Sequence, residues 1–190
     1  MRLMSAFTAI LLIGGLTACD LIGPSAVSST TNNYDPSEYA QAAKASPIPV
    51  RVTGSALSIS GPELTKAAID DMTGQDWAPH ARFVPASDAT QGSVFSFAIM
   101  FNGPNGVTGA SLCARQSAST GAAPSSNAGD VLLIAGLCRY NEAVSNVQVR
   151  ISGATGPRDP KFAGMIATAI RSLTPPIVTN RTNDTNSDMH

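Results

Sequence analysis

The side chains best able to do chemistry in this sequence lie in one short stretch, Gln75-Asp76-Trp77-Ala78-Pro79-His80. A histidine four residues after an aspartate offers a general base and a carboxylate to orient it, as in a hydrolytic triad. A triad also needs a nucleophile, and no Gly-x-Ser-x-Gly elbow sets one serine apart. His80 therefore reads as a surface-loop residue, and no catalytic residue is assigned. A small envelope hydrolase using His80 and Asp76 stands as the alternative. Asp70 and Asp71 offer carboxylates for glycan hydrolysis or a metal. Adjacent residues on a helix point about 100° apart, so these two diverge and read as a solvated helix end. The glycine-containing turns match neither a phosphate loop nor a dinucleotide fingerprint, so no cofactor is expected. Trp77, the only tryptophan, sits in a proline-containing loop. It either plugs the end of the core or anchors a partner contact.

Composition narrows the partners. The 190 residues are 43% hydrophobic and 13% charged, with a net charge of −1. The charged share is about half the roughly 25% of an average soluble domain. No basic surplus drives nucleic-acid binding. The length suits one ordinary domain.

The amino terminus carries one charge, Arg2, followed by an apolar run from Ala6 to Leu16. That pattern reads as an export signal, too short to span a bilayer comfortably. It ends in Leu16-Thr17-Ala18-Cys19, which resembles the lipobox of bacterial lipoproteins. The resemblance implies cleavage before Cys19, diacylation of its sulfur and often acylation of the new amino terminus. Two or three acyl chains anchor stably, at ~0.8 kcal/mol per buried CH₂. The implied location is the cell envelope, facing the periplasm. Asp20 follows, an inner-membrane retention signal in lipoproteins of some Gram-negative bacteria, so the choice of membrane stays open.

With Cys19 taken by lipid, Cys113 and Cys138 remain. An exported chain meets an oxidising compartment, and an even remainder favours a disulfide between them. Neither has a neighbouring cysteine or histidine, so no metal site is expected.

The elements that must position these residues follow from periodicity. Residues 19–47 read as a lipidated tether, small and polar in Ser25 to Asn33, with a short helix over Pro36 to Lys44. Residues 48–174 read as one domain and 175–190 as a polar tail. One helix is expected from Pro62 to Met72, with Ser60 and Glu63 as a capping box and apolar Leu64, Ala67, Ala68 and Met72. A second runs from Pro160 to Leu173, capped by Asp159, with Phe162, Met165, Ile166, Ala169, Ile170 and Leu173 at helical spacing. Val94 to Phe101 alternates as a strand, and Asn102-Gly103-Pro104-Asn105-Gly106 turns. Val107 to Cys113 is then expected to return as its partner strand. Val131 to Arg139 and Val144 to Ile151 form a second hairpin. Val50 to Leu57 and Ala81 to Val84 are weaker strands. Gln116 to Asp130 reads as a long loop.

The expected fold is α+β: an antiparallel sheet with two helices on one face, in the order β-α-β-β-β-β-β-α. The expected function is that of a membrane-anchored accessory, binding or assembly factor for an envelope component. Its partner is an envelope protein, a lipid-transport machine or peptidoglycan. A structural lipoprotein with no specific ligand is the third reading.

Overall fold

In the computed structural model, residues 26–79, 81–89, 92–114 and 129–176 are described. From the amino end, β1 (Ala26–Thr31) leads to α1 (Pro36–Ala45), β2 (Ile48–Ala56), β3 (Ile59–Ser60) and α2 (Gly61–Met72). There follow β4 (Phe83–Pro85), β5 (Phe95–Phe101), α3 (Gly109–Ala114), β6 (Val131–Arg139), β7 (Glu142–Ile151) and α4 (Pro160–Leu173). The strands form one sheet in the order β1-β7-β6-β5-β2-β3, with β4 also pairing β2. The fold class is α+β, as the sequence pattern implies.

Period-two alternation gives the sheet two apolar faces. Phe95, Phe97, Ile99 and Phe101 of β5 are buried with Leu133, Ala135 and Leu137 of β6 and Val147, Val149 and Ile151 of β7. They share one core with residues of α1, α2 and α4. The six apolar residues of α4 are all buried, and Asp159 caps it by accepting from the Lys161 N–H. Each of the larger ones, Phe162, Met165, Ile166, Ile170 and Leu173, contributes about 1.5–3 kcal/mol on burial. Ala98, Met100, Ile134 and Cys138 point to the opposite face. They meet Val107, Leu112 and Cys113 in a smaller cluster. At the end of β5, Asn102 takes a left-handed backbone (φ 49°). Its amide donates to Ser55 O at 3.0 Å and accepts from the Leu132 N–H at 2.9 Å, tying β2 to β6.

Four details differ from the sequence expectation. First, much of the expected tether belongs to the folded unit. Ala26–Thr31 pairs antiparallel with β7 along its whole length, and Tyr34, Tyr39 and Ala43 enter the main core. A small, polar strand is stable here because β7 supplies its backbone partners. Second, the sheet is mixed rather than antiparallel. The helix α2 follows β2 and β3, and a strand that returns after such a crossover lies parallel, so β2 runs parallel to both β4 and β5. Third, most of the expected Val107–Cys113 strand is a helix instead, α3 over Gly109–Ala114. Thr108 and Ser111 exchange side chain to backbone hydrogen bonds in both directions. That is a capping box with serine in the third place, and it starts a helix. Fourth, Ser60 stands at the amino end of α2 but makes no side-chain capping bond there.

Candidate functional site

Polar groups of the described residues gather in several places, two of which hold expected site residues. One surrounds Asp76, just after α2. Its Oδ2 accepts from the Tyr39 hydroxyl of α1, and its Oδ1 accepts from the Ala78 N–H at 2.8 Å. The Trp77 Nε1–H donates to the Tyr34 hydroxyl at 3.3 Å. The Tyr34 and Tyr39 rings lie 5.9 Å apart, and Tyr39 meets Phe95 edge-on at 5.5 Å. Burial pushes the Asp76 carboxyl up, while hydrogen bonds from Tyr39, Ala78 and Trp77 pull it back down. Burial also drives both tyrosine hydroxyls far above their ordinary value, with the Asp76 charge adding to the rise. A tyrosine that resists ionisation and donates to a half-buried carboxylate is a latch. It fastens α1 to a loop 37 residues away. Arg139 adds a second tie, reaching Glu38 of α1 at 3.1 Å.

This geometry fixes the surroundings of the candidate residues. Both Asp76 oxygens are engaged in holding α1 and the loop. Trp77 is half-buried against the main core and uses its indole N–H internally. His80 lies outside the described residues, as do Cys19, residues 116–128 of the expected loop and residues 177–190 of the tail. Asp70 and Asp71 sit in different surroundings. Asp70 pairs with Lys66 at 2.6 Å on the surface. Asp71 keeps a buried Oδ2 without a hydrogen-bond partner, and burial together with Asp70 raises its carboxyl. Among the described residues no group of three or more His, Cys, Asp or Glu is placed to hold a metal.

The second place is the sheet face that carries α3. Cys113 and Cys138 are joined by a disulfide with Cα atoms 5.4 Å apart. Gly109 of α3 lies directly over Gly136 of β6, so close that a Cβ on Gly136 would stand 2.6 Å from the Gly109 oxygen. Arg51 of β2 donates from Nη2 to Leu112 O at 2.5 Å, near the carboxyl end of α3. Cations are favoured at that end of a helix. Beside the disulfide opens a pocket of about 250 Å³, lined by Arg51, Ser96, Tyr140, Asn141, Pro49 and Ala86. Sequence reading did not single out Arg51 or Tyr140. A signal for Arg51 exists: it is a charge between Val50 and Val52 in an apolar strand. Alternation sends it to the face opposite its neighbours.

No protein-family model and no curated protein matches the chain. Among solved structures, a substituted PelC dodecamer from Paraburkholderia phytofirmans resembles it at 13% identity and a TM-score of 0.43, over 78% of this chain and 98% of that one. A second PelC dodecamer from the same organism resembles it at 10% identity and 0.41, over 80% and 96%. Likeness at this level leaves the function to be argued from the chain's own residues.

Proposed function

We propose that this chain is a lipid-anchored protein of the bacterial envelope. It faces the periplasm and docks on another envelope component as an accessory or assembly factor. The observation that carries the reading is the position of β1. The lipobox-like Leu16-Thr17-Ala18-Cys19 places the acylated residue only seven steps before Ala26, where the sheet begins. Seven extended residues reach at most about 25 Å. An acylated Cys19 would therefore hold the β1 edge of the sheet near the bilayer surface. That geometry favours a partner embedded in the membrane or lying against it. The latch around Asp76 supports the same reading, because it fastens the segment after β1 into the core and would pass the anchor's position to the whole domain.

Labelled fatty acid should be incorporated by the wild-type chain and not by Cys19→Ala, and unchanged labelling would sink the anchor. A photo-crosslinker at Val27, which is 45% exposed at the sheet edge, should trap one stoichiometric partner in intact cells. Cys19→Ala should lose that adduct. Recovery of no stoichiometric adduct would count against the docking role.

A further inference from the structure

The described fold leaves one half-buried positive charge without a counter-charge. Arg51 leaves β2 on the face opposite Val50 and Val52, which pack on the main core. Of its five N–H donors, one is used on Leu112 O. Between described residues, ion pairs join Lys66 to Asp70 and Arg139 to Glu38, and Arg51 joins neither. The segment 115–128, which links α3 to β6, contains no Asp or Glu. Burial lowers the basicity of Arg51, and no carboxylate of the described residues offsets that effect. A desolvated charge without a partner is costly, so its place in a pocket points to an incoming anion.

The rim supplies a second observation. Tyr140 is 69% exposed, one of two large hydrophobic residues that stand out from the surface among the described residues. It also holds a left-handed backbone, φ 56°, in the turn between β6 and β7. Such a conformation is strained for a bulky residue. Its N–H is fixed on Val94 O at 2.9 Å, so the turn is held in place. Arginine and tyrosine are among the residue types that dominate protein interfaces. The size of the cavity adds a constraint. At about 250 Å³ it falls below the roughly 300–1,000 Å³ of small-ligand sites. That volume holds a single side chain or chain end, and the charge that meets it there is the Arg51 guanidinium.

We infer that the Arg51 pocket receives a carboxylate of a partner polypeptide, either an acidic side chain or a chain terminus. Arg51 grips the two oxygens and Tyr140 packs on the adjoining residue. A planar guanidinium matches a carboxylate with two parallel hydrogen bonds, which gives direction as well as strength. Ser96 stands on the same face as a further polar group. This inference rests on the docking reading only in taking the occupant to be a polypeptide.

The test uses the full-length chain in detergent, so it does not depend on whether Cys19 carries lipid. A randomised nonapeptide library is selected on wild-type protein and on Arg51→Gln. Wild type should enrich Asp, Glu or a free carboxyl terminus at one register, and Arg51→Gln should not. A selected peptide should lose at least tenfold in affinity when its acid is replaced by the amide. Tyr140→Ala should weaken it several-fold. Arg51 also braces α3, so Ser96→Asp serves as the second variant. It places a carboxylate inside the pocket, and should abolish binding while leaving the thermal midpoint equal or higher. Inorganic phosphate and an oligogalacturonate of matched charge should compete only at concentrations a hundredfold higher. The inference falls if no acidic position is enriched or if Arg51→Gln and Ser96→Asp bind like wild type. It falls equally if phosphate or the oligogalacturonate displaces the peptide at comparable concentration. These outcomes are independent of the fatty-acid labelling that tests the anchor.

Discussion

The contact between Gly109 and Gly136 offers the sharpest test of how α3 is seated. A Cβ at position 136 would lie 2.6 Å from the Gly109 oxygen and 3.0 Å from the Cys113 sulfur. Ordinary contact begins at 3.4 Å, so the oxygen is too close by 0.8 Å. A backbone oxygen cannot rotate aside, so in Gly136→Ala the helix must lift. Its carboxyl end is held by the Cys113–Cys138 disulfide and by Arg51 on Leu112 O. Overpacking of this kind costs about 1–3 kcal/mol, and a clash with constrained backbone belongs at ~2–3. Alanine gains back about 0.5–1 kcal/mol over glycine in a strand through lower unfolded-state entropy. The net loss is about 1–2.5 kcal/mol. For a domain of this size that lowers the melting midpoint by about 2–10 °C. Chemical denaturation of wild type and Gly136→Ala measures it directly. The same substitution in a Cys113→Ala/Cys138→Ala background should cost at least ~1 kcal/mol less, because a released helix can move. A Gly136→Ala protein as stable as wild type would refute the close approach. Full additivity with the disulfide variant would refute the lifting.

Three further outcomes follow from the same structure. Removing the disulfide opens a loop of 24 residues between the cysteines, with a sequence separation of 25. The chain-entropy relation assigns that closure about 3.5 kcal/mol, so Cys113→Ala/Cys138→Ala should lower the urea midpoint accordingly. Tyr39→Phe removes the donor to Asp76 Oδ2 and should cost about 1–3 kcal/mol near neutral pH. Asp76 has a folded value raised above the ordinary 3.8, so its stabilising contribution is complete below that value. It is lost as pH rises through the raised one. Without the Tyr39 hydrogen bond the folded value rises further, so Tyr39→Phe should lose more stability than wild type between about pH 3.5 and pH 7. Tyr34 and Tyr39 are raised above the ordinary 10.0. Their contribution is complete below pH 10.0 and lost as pH rises beyond it. Denaturation midpoints followed above about pH 10 should therefore fall, and less steeply in Tyr39→Phe.

Much of the core was legible because its periodicities are local. The stripe of α4 from Phe162 to Leu173 and the alternation of Phe95, Phe97, Ile99 and Phe101 each lie within a single element. The hairpin of β6 and β7 needs only two neighbouring runs and a short turn. The helix at Gly109–Ala114 departs from the strand expected there, because Val107 to Cys113 is short and follows a strong turn signal. The Thr108 to Ser111 capping pair was the local signal against it. The strand at Ala26–Thr31 has no apolar pattern of its own, and its partner β7 lies more than a hundred residues away.

By itself the sequence determined the α+β class, the apolar faces of α2, α4 and the central strands, and the two cysteines left for pairing once Cys19 is set aside. Those properties depend on residue type and on spacing within one element. Only the tertiary structure decided that β1 belongs to the sheet and that Tyr39 donates to Asp76. It also decided that Arg51 stands beside the disulfide with no ion-pair partner among the described residues. Each of these depends on which distant segments meet. A polar group's role is set by whether its partner arrives, and in this chain the partners come from segments remote in sequence.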